Sequence, residues 1–296
     1  RDPDALADRI AARGLDTAFV REYYLADRLS PARAAALDRA LEGRAPPVNS
    51  DLRPIATYLS LRLWNREFSS FPGALDRVRQ LLTPGVAVAI ALALLLPFPR
   101  SRRVRFERNV VAAILVVGFT EISLEVAALL AFQSLYGYVY HQLALIVAAF
   151  MAGLGLGGWA GLRAAARGAG PRAFVLLQLG ITMVPLALAR AVVWLSGLPT
   201  DRLIQVAGLF PLAVVAAAFL AGMQFPLAGA LLERRASGAG AVGGRLYGAD
   251  LIGASLGATL AAVLFLPVMG IAGTMAGLAL VNAAVLAALG LTAPRR

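Results

Sequence analysis

Two carboxylates one helical turn apart, Glu121 and Glu125, stand inside the otherwise apolar run from Val110 to Phe132. A charged residue at the centre of a membrane helix costs roughly 2.5–3.5 kcal/mol on insertion scales, and such residues usually face a bundle interior or a water-filled cavity. The i, i+4 spacing puts both side chains on one helix face, where two ionised carboxylates repel. At least one is therefore expected to hold a proton or to pair with an arginine. Two kinds of chemistry fit: binding of a cation or proton, or attachment of one helix to another.

Other polar residues fall in apolar runs as well. Gln224 and Asp250 join the two glutamates as candidate substrate-binding residues, a set that could line one cavity and hold a cationic amine. Asp250 follows Arg245 by five positions, near a helix N-terminus where the helix dipole favours a carboxylate. Arg190 lies close enough to the end of its run to snorkel, and His141 and Gln142 sit in a belt with Tyr136, Tyr138 and Tyr140. In the polar N-terminal part, the run Asn49-Ser-Asp-Leu-Arg-Pro54 supplies Asn49, Asp51 and Arg53 as further binding candidates. An N-cap at Ser50 or Asp51 explains much of the same pattern.

Composition removes several classes of chemistry. Cysteine is absent and His141 is the lone histidine, which leaves no thiolate nucleophile and no expected metal site. All 28 basic residues are arginine, so neither a Schiff-base lysine nor a lysine-containing phosphate loop is possible. The sequence shows no aromatic-interleaved basic surface of the kind that binds nucleic acid.

With 59% hydrophobic residues and a mean hydropathy of +0.72 over 296 residues, the chain reads as a multi-span membrane protein. The spacing predicts about seven apolar segments: 81–98, 110–132, 139–162, 173–195, 203–232, 246–268 and 271–291. Each approaches the ~20 residues that cross ~30 Å of hydrocarbon. Pro84 and Pro97 make the first segment the weakest. Glycine spacings such as Gly153-x-x-x-Gly157-x-x-x-Gly161 and Gly253-x-x-x-Gly257 predict close helix packing. Arginine clusters at 100–108, 163–172, 234–245 and 295–296 alternate with arginine-poor loops. Residues 110–291 are therefore expected to form three hairpins that return to the cytoplasm, with a cytoplasmic C-terminus. Whether 81–98 spans decides the side on which residues 1–80 lie. Those residues are polar and mixed, with helical patterns at 3–13 and 31–41 and a β-prone stretch at 15–20. They resemble the tail of an α/β domain, too short to form a nucleotide pocket alone. The chain starts Arg1-Asp2-Pro3, and it is read as the downstream part of a longer protein.

Three stretches resemble the membrane-integrated spermidine synthase-like family, whose members fuse a major-facilitator-like membrane module to an aminopropyltransferase. One is Gly118-Phe-Thr-Glu-Ile-Ser-Leu-Glu-Val with Phe132-Gln-Ser-Leu-Tyr-Gly-Tyr-Val-Tyr and Ala149-Phe-Met-Ala-Gly-Leu-Gly-Leu-Gly157. A second joins Gly222-Met-Gln-Phe-Pro-Leu-Ala228, Gly244-Arg-Leu-Tyr-Gly-Ala-Asp-Leu-Ile-Gly-Ala-Ser-Leu-Gly-Ala258 and Leu266-Pro-Val-Met-Gly270. The third is Phe19-Val-Arg-Glu-Tyr-Tyr-Leu-Ala-Asp-Arg28 with Val48-Asn-Ser-Asp-Leu-Arg-Pro-Ile-Ala56. The resemblance implies that residues 1–80 end a Rossmann-like methyltransferase-fold domain and that 81–296 form the membrane domain. It also implies polyamine biosynthesis by transfer of an aminopropyl group from decarboxylated S-adenosylmethionine to a small amine, in a bacterial cytoplasmic membrane. The family's glycine-rich cofactor turn and catalytic aspartates have no counterpart in these residues, so no catalytic residue is assigned. The alternative is a non-catalytic transporter-like or scaffold module that binds or moves polyamines or other cations.

Overall fold

The computed structural model describes residues 3–14, 30–43, 48–50, 55–68, 77, 101–136, 140–199, 208–233 and 238–294. Among them the regular structure is helical, and none forms a β-strand. The expected β-prone stretch at 15–20 and the expected segment 81–98 lie outside the described residues. The chain divides into two compact units, Arg1–Val48 and Asn49–Arg296.

The first unit contains α1 (Pro3–Ala12) and α2 (Pro31–Leu41). Ser30 caps α2 by accepting from the N–H of Arg33, and Pro31 occupies the first turn, where no N–H is needed. No residue of α2 is buried.

The second unit opens with α3 (Ile55–Phe68), which packs against the last helix of the chain with Ile55 and Tyr58 buried. Then come α4 (Arg102–Tyr136), α5 (Tyr140–Ala166), α6 (Pro171–Leu195), α7 (Leu209–Glu233), α8 (Ala239–Leu260) and, after one π-turn at Ala261–Phe265, α9 (Leu266–Thr292). Among the described residues of this unit, five apolar helical stretches are long enough to cross a membrane, the last running from Gly240 to Thr292. Helix is the conformation that satisfies every backbone group within such a segment. At 35 residues, α4 is about 50 Å long and exceeds the apolar run that predicted it, because its first turns carry Arg105 and Arg108.

Two glycines make the reversals possible. Gly168 adopts φ +86° after α5. Its N–H bonds the Ala165 carbonyl and the next N–H bonds that of Ala164, an αL closure that a side chain would strain. Gly270, at φ 72° and ψ 179°, interrupts the long final stretch, and the chain turns back there. Contacts with α4 establish that turn. Residues 253 and 257 of α8 meet Leu115 and Phe119 in parallel order, whereas residues 292 and 282 of α9 bond Asn109 and Thr120 in antiparallel order.

Helices α4–α6 and α7–α9 are two copies of one arrangement, inverted with respect to each other. The pair α4 and α8 corresponds to α7 and α5, and the pair α4 and α9 corresponds to α7 and α6. The match extends to atoms. A Cβ on Gly253 would overlap the Leu115 carbonyl oxygen, as one on Gly157 would overlap that of Phe219. Gly257 stands to Phe119 as Gly161 stands to Met223. The two hydrophobic cores correspond as well: Phe106, Val110, Val242 and Leu246 in one answer Phe210, Val214, Ile146 and Phe150 in the other. Inverted repeats of this kind characteristically place their polar site at the interface between the halves.

Candidate functional site

That interface holds a chain of buried amides and a hydroxyl contributed by four helices. Gln224 of α7 donates from Nε2 to Gln178 Oε1 of α6 (2.5 Å), and Gln178 donates from Nε2 to Asn282 Oδ1 of α9 (3.0 Å). Asn282 donates from Nδ2 to Thr120 Oγ1 of α4 (2.8 Å) and to the Leu278 carbonyl (2.9 Å). The Thr120 hydroxyl in turn donates to the Val116 carbonyl (2.7 Å). All four residues are at most 1% exposed. The chain obeys the inversion: Thr120 corresponds to Gln224 and Gln178 to Asn282, so the Gln224–Gln178 bond is the counterpart of the Thr120–Asn282 bond. Gln224 Oε1, at its end, has no hydrogen-bond partner. An unpaired buried acceptor costs about 1–3 kcal/mol.

The carboxylates break the symmetry. Glu121 follows Thr120 near the midpoint of α4, and Glu125 lies one turn further on. The corresponding positions in α7 are Phe225 and Gly229. Both glutamates line a cavity of about 30 Å³ between α4, α5, α6 and α7, together with Thr120, Phe150, Ile181 and Val214. Such a space admits a water or a small ion, the threshold for one water being roughly 10–15 Å³. A neighbouring cavity of about 140 Å³ continues from it, sharing Ala128, Leu188 and Val214 and ending at Trp194 and Phe210.

Asp250 reaches the same region from α8. It lies against Gly118, where a Cβ would come 2.5 Å from both its main-chain oxygen and its Oδ1, so glycine at 118 makes room for it. Among the described residues, Glu125 and Asp250 are acidic neighbours of Glu121. Among the described residues no cation pairs with any of the three. Arg190 is exposed and forms no ion pair with them. No group of three or more histidine or acidic side chains among the described residues is placed to hold a metal ion.

The structure thus brings Glu121 and Glu125 together at a cavity. Asp250 lies beside them at the α4–α8 contact, and Gln224 is tied into the amide chain that ends next to Glu121. Asn49 caps the first turn of α3, its Oδ1 accepting from the N–H of Ala56 at 2.9 Å. Asp51 and Arg53 lie outside the described residues. Sequence reasoning did not single out Thr120, Gln178 or Asn282 as site residues. A search for correspondence between the two glycine-spaced halves would have found all three. The chain matches no protein-family model, no curated protein and no solved structure.

Proposed function

We propose that residues 102–292 form a transporter-like membrane module that binds an organic cation at Glu121 and Glu125. The observation that carries this reading is a pair of membrane-embedded carboxylates that line one cavity with no cationic partner among the described residues. An ionisable group at that depth, costly in its charged form, is a functional-site candidate by default. The inverted arrangement supports the same conclusion, since secondary transporters place their sites at such an interface. In this reading the module crosses the membrane six times as three hairpins. The arginine-rich ends and the C-terminus face the cytoplasm, and a small amine is the expected occupant.

The family-like motifs favour a second reading, in which the module belongs to a longer spermidine synthase-like enzyme. Aminopropyl transfer from decarboxylated S-adenosylmethionine would then occur upstream, with the membrane part handling the amine substrate or product. The two readings share the amine and differ in where the chemistry lies.

Binding of labelled putrescine to the protein in lipid vesicles tests the first. Glu121→Gln and Glu125→Gln are expected to weaken it by at least about tenfold each, the value of one charge-assisted hydrogen bond. Asp250→Asn, which leaves both cavity carboxylates in place, is expected to change it less. Unchanged binding in both glutamine variants would sink the proposal.

A further inference from the structure

The two joined cavities differ in chemistry from end to end, and that difference selects an occupant. At the inner end stand Glu121 and Glu125. The outer end is lined by alanine and aliphatic side chains with Trp194, Phe210 and Met275, and among the described residues no carboxylate, amide or hydroxyl side chain lines it. The passage between them is walled by Ala128, Leu188 and Val214, which line both. A polyamine carries a cation at each end. Its second ammonium, held among these apolar groups, would meet no acidic or amide acceptor from the described lining, and shedding water there costs several kcal/mol. Phe210 packs edge-to-face against Phe132, with ring centroids 5.5 Å apart. The outer space, at about 140 Å³, is larger than the inner one and suits a hydrocarbon chain.

We infer that this cleft takes an amphiphilic monocation, a primary alkylammonium whose head lies between Glu121 and Glu125 and whose alkyl body runs past Val214 to Trp194. The inference rests on the cation-binding reading above and sharpens its substrate class. Charge complementarity fixes the head, and the single-ended polarity of the cleft fixes the body. A diamine binds more weakly than an alkylamine of equal length, because only one of its charges finds a partner.

The cleft supplies its own reporter in Trp194. In the full chain with Trp64→Phe and Trp159→Phe, reconstituted in nanodiscs, 8-bromooctylammonium is expected to quench the remaining indole saturably. Non-brominated octylammonium is expected to reverse the quenching at concentrations at least about tenfold below those of 1,8-diaminooctane. Glu121→Gln with Glu125→Gln should remove the saturable component. Ala213→Leu, which intrudes on the outer space alone, should weaken quenching while small-amine binding persists. Equal quenching by 8-bromooctanol, or quenching that survives in the glutamine variant, would mean that the groove holds only a phospholipid acyl chain, and would overturn the inference. If putrescine binds and 8-bromooctylammonium neither quenches nor displaces it, the inference fails and the cation-binding reading stands. If neither amine binds, both fail.

Discussion

Asn282 is the residue on which the buried polar chain depends, since it accepts from Gln178 and donates to Thr120 in one side chain. Removing it orphans the Gln178 amide on one side. On the other it leaves Thr120 with its bond to the Val116 carbonyl. Asn282→Ala is expected to destabilise the folded protein by about 1–2 kcal/mol, toward the upper end for hydrogen bonds between membrane helices because the site is fully enclosed. A double-mutant cycle with Gln178→Ala in detergent unfolding should show coupling of about 0.5–1.5 kcal/mol, and additivity would remove the chain from the account. The carboxylates and Gln224 were legible in the sequence because their cost in an apolar run is visible without a structure. Thr120 and Asn282 were not. A threonine or asparagine in a membrane helix is ordinary by type, and what distinguishes these two is the partner each meets across the bundle.

At the scale of elements, the helices were largely visible as apolar runs, and their break at Gly270 falls between the two runs expected to end at 268 and begin at 271. Their pairing was not visible. Glycine spacing announced close approach without naming the neighbour, and backbone contact requires α5 on α7 and α8 on α4. Gly157 shows the constraint most directly, because a methyl group there would collide with the Phe219 main chain. Gly155, two residues earlier on the same helix, faces open space. Gly157→Ala is accordingly expected to cost about 1–3 kcal/mol through overpacking, and the same change at Gly161 a similar amount. Gly155→Ala should be neutral or slightly stabilising, since alanine favours the helix. Thermal unfolding of the three variants in one detergent checks the contrast, and equal melting temperatures would contradict the assigned contacts.

For the molecule as a whole, the inversion and the arginine distribution make a joint demand on sidedness. Alternating helix directions bring the start of α4, the end of α5, the start of α6 and the end of α9 to one face. Arg105, Arg163, Arg167 and Arg172 all lie on that face, with Arg163 laid over the Trp159 ring at 3.4 Å. The opposite face carries Tyr136 stacked on Phe132, and Tyr140. Positive charge is retained on the cytoplasmic side, so the proposed topology puts the arginine face inside and turns the Trp194 end of the cleft toward the outer leaflet. Because the chain has no cysteine, single cysteines report this cleanly. Tyr140→Cys and Gly197→Cys, both at exposed positions, should react with an impermeant maleimide added outside intact cells. Ser101→Cys, Arg172→Cys and Pro294→Cys, also exposed, should react only after permeabilisation. Labelling of one residue from each set on the same side would break the alternation. With it would go the placement of Glu121 and Glu125 at mid-depth between two inverted halves.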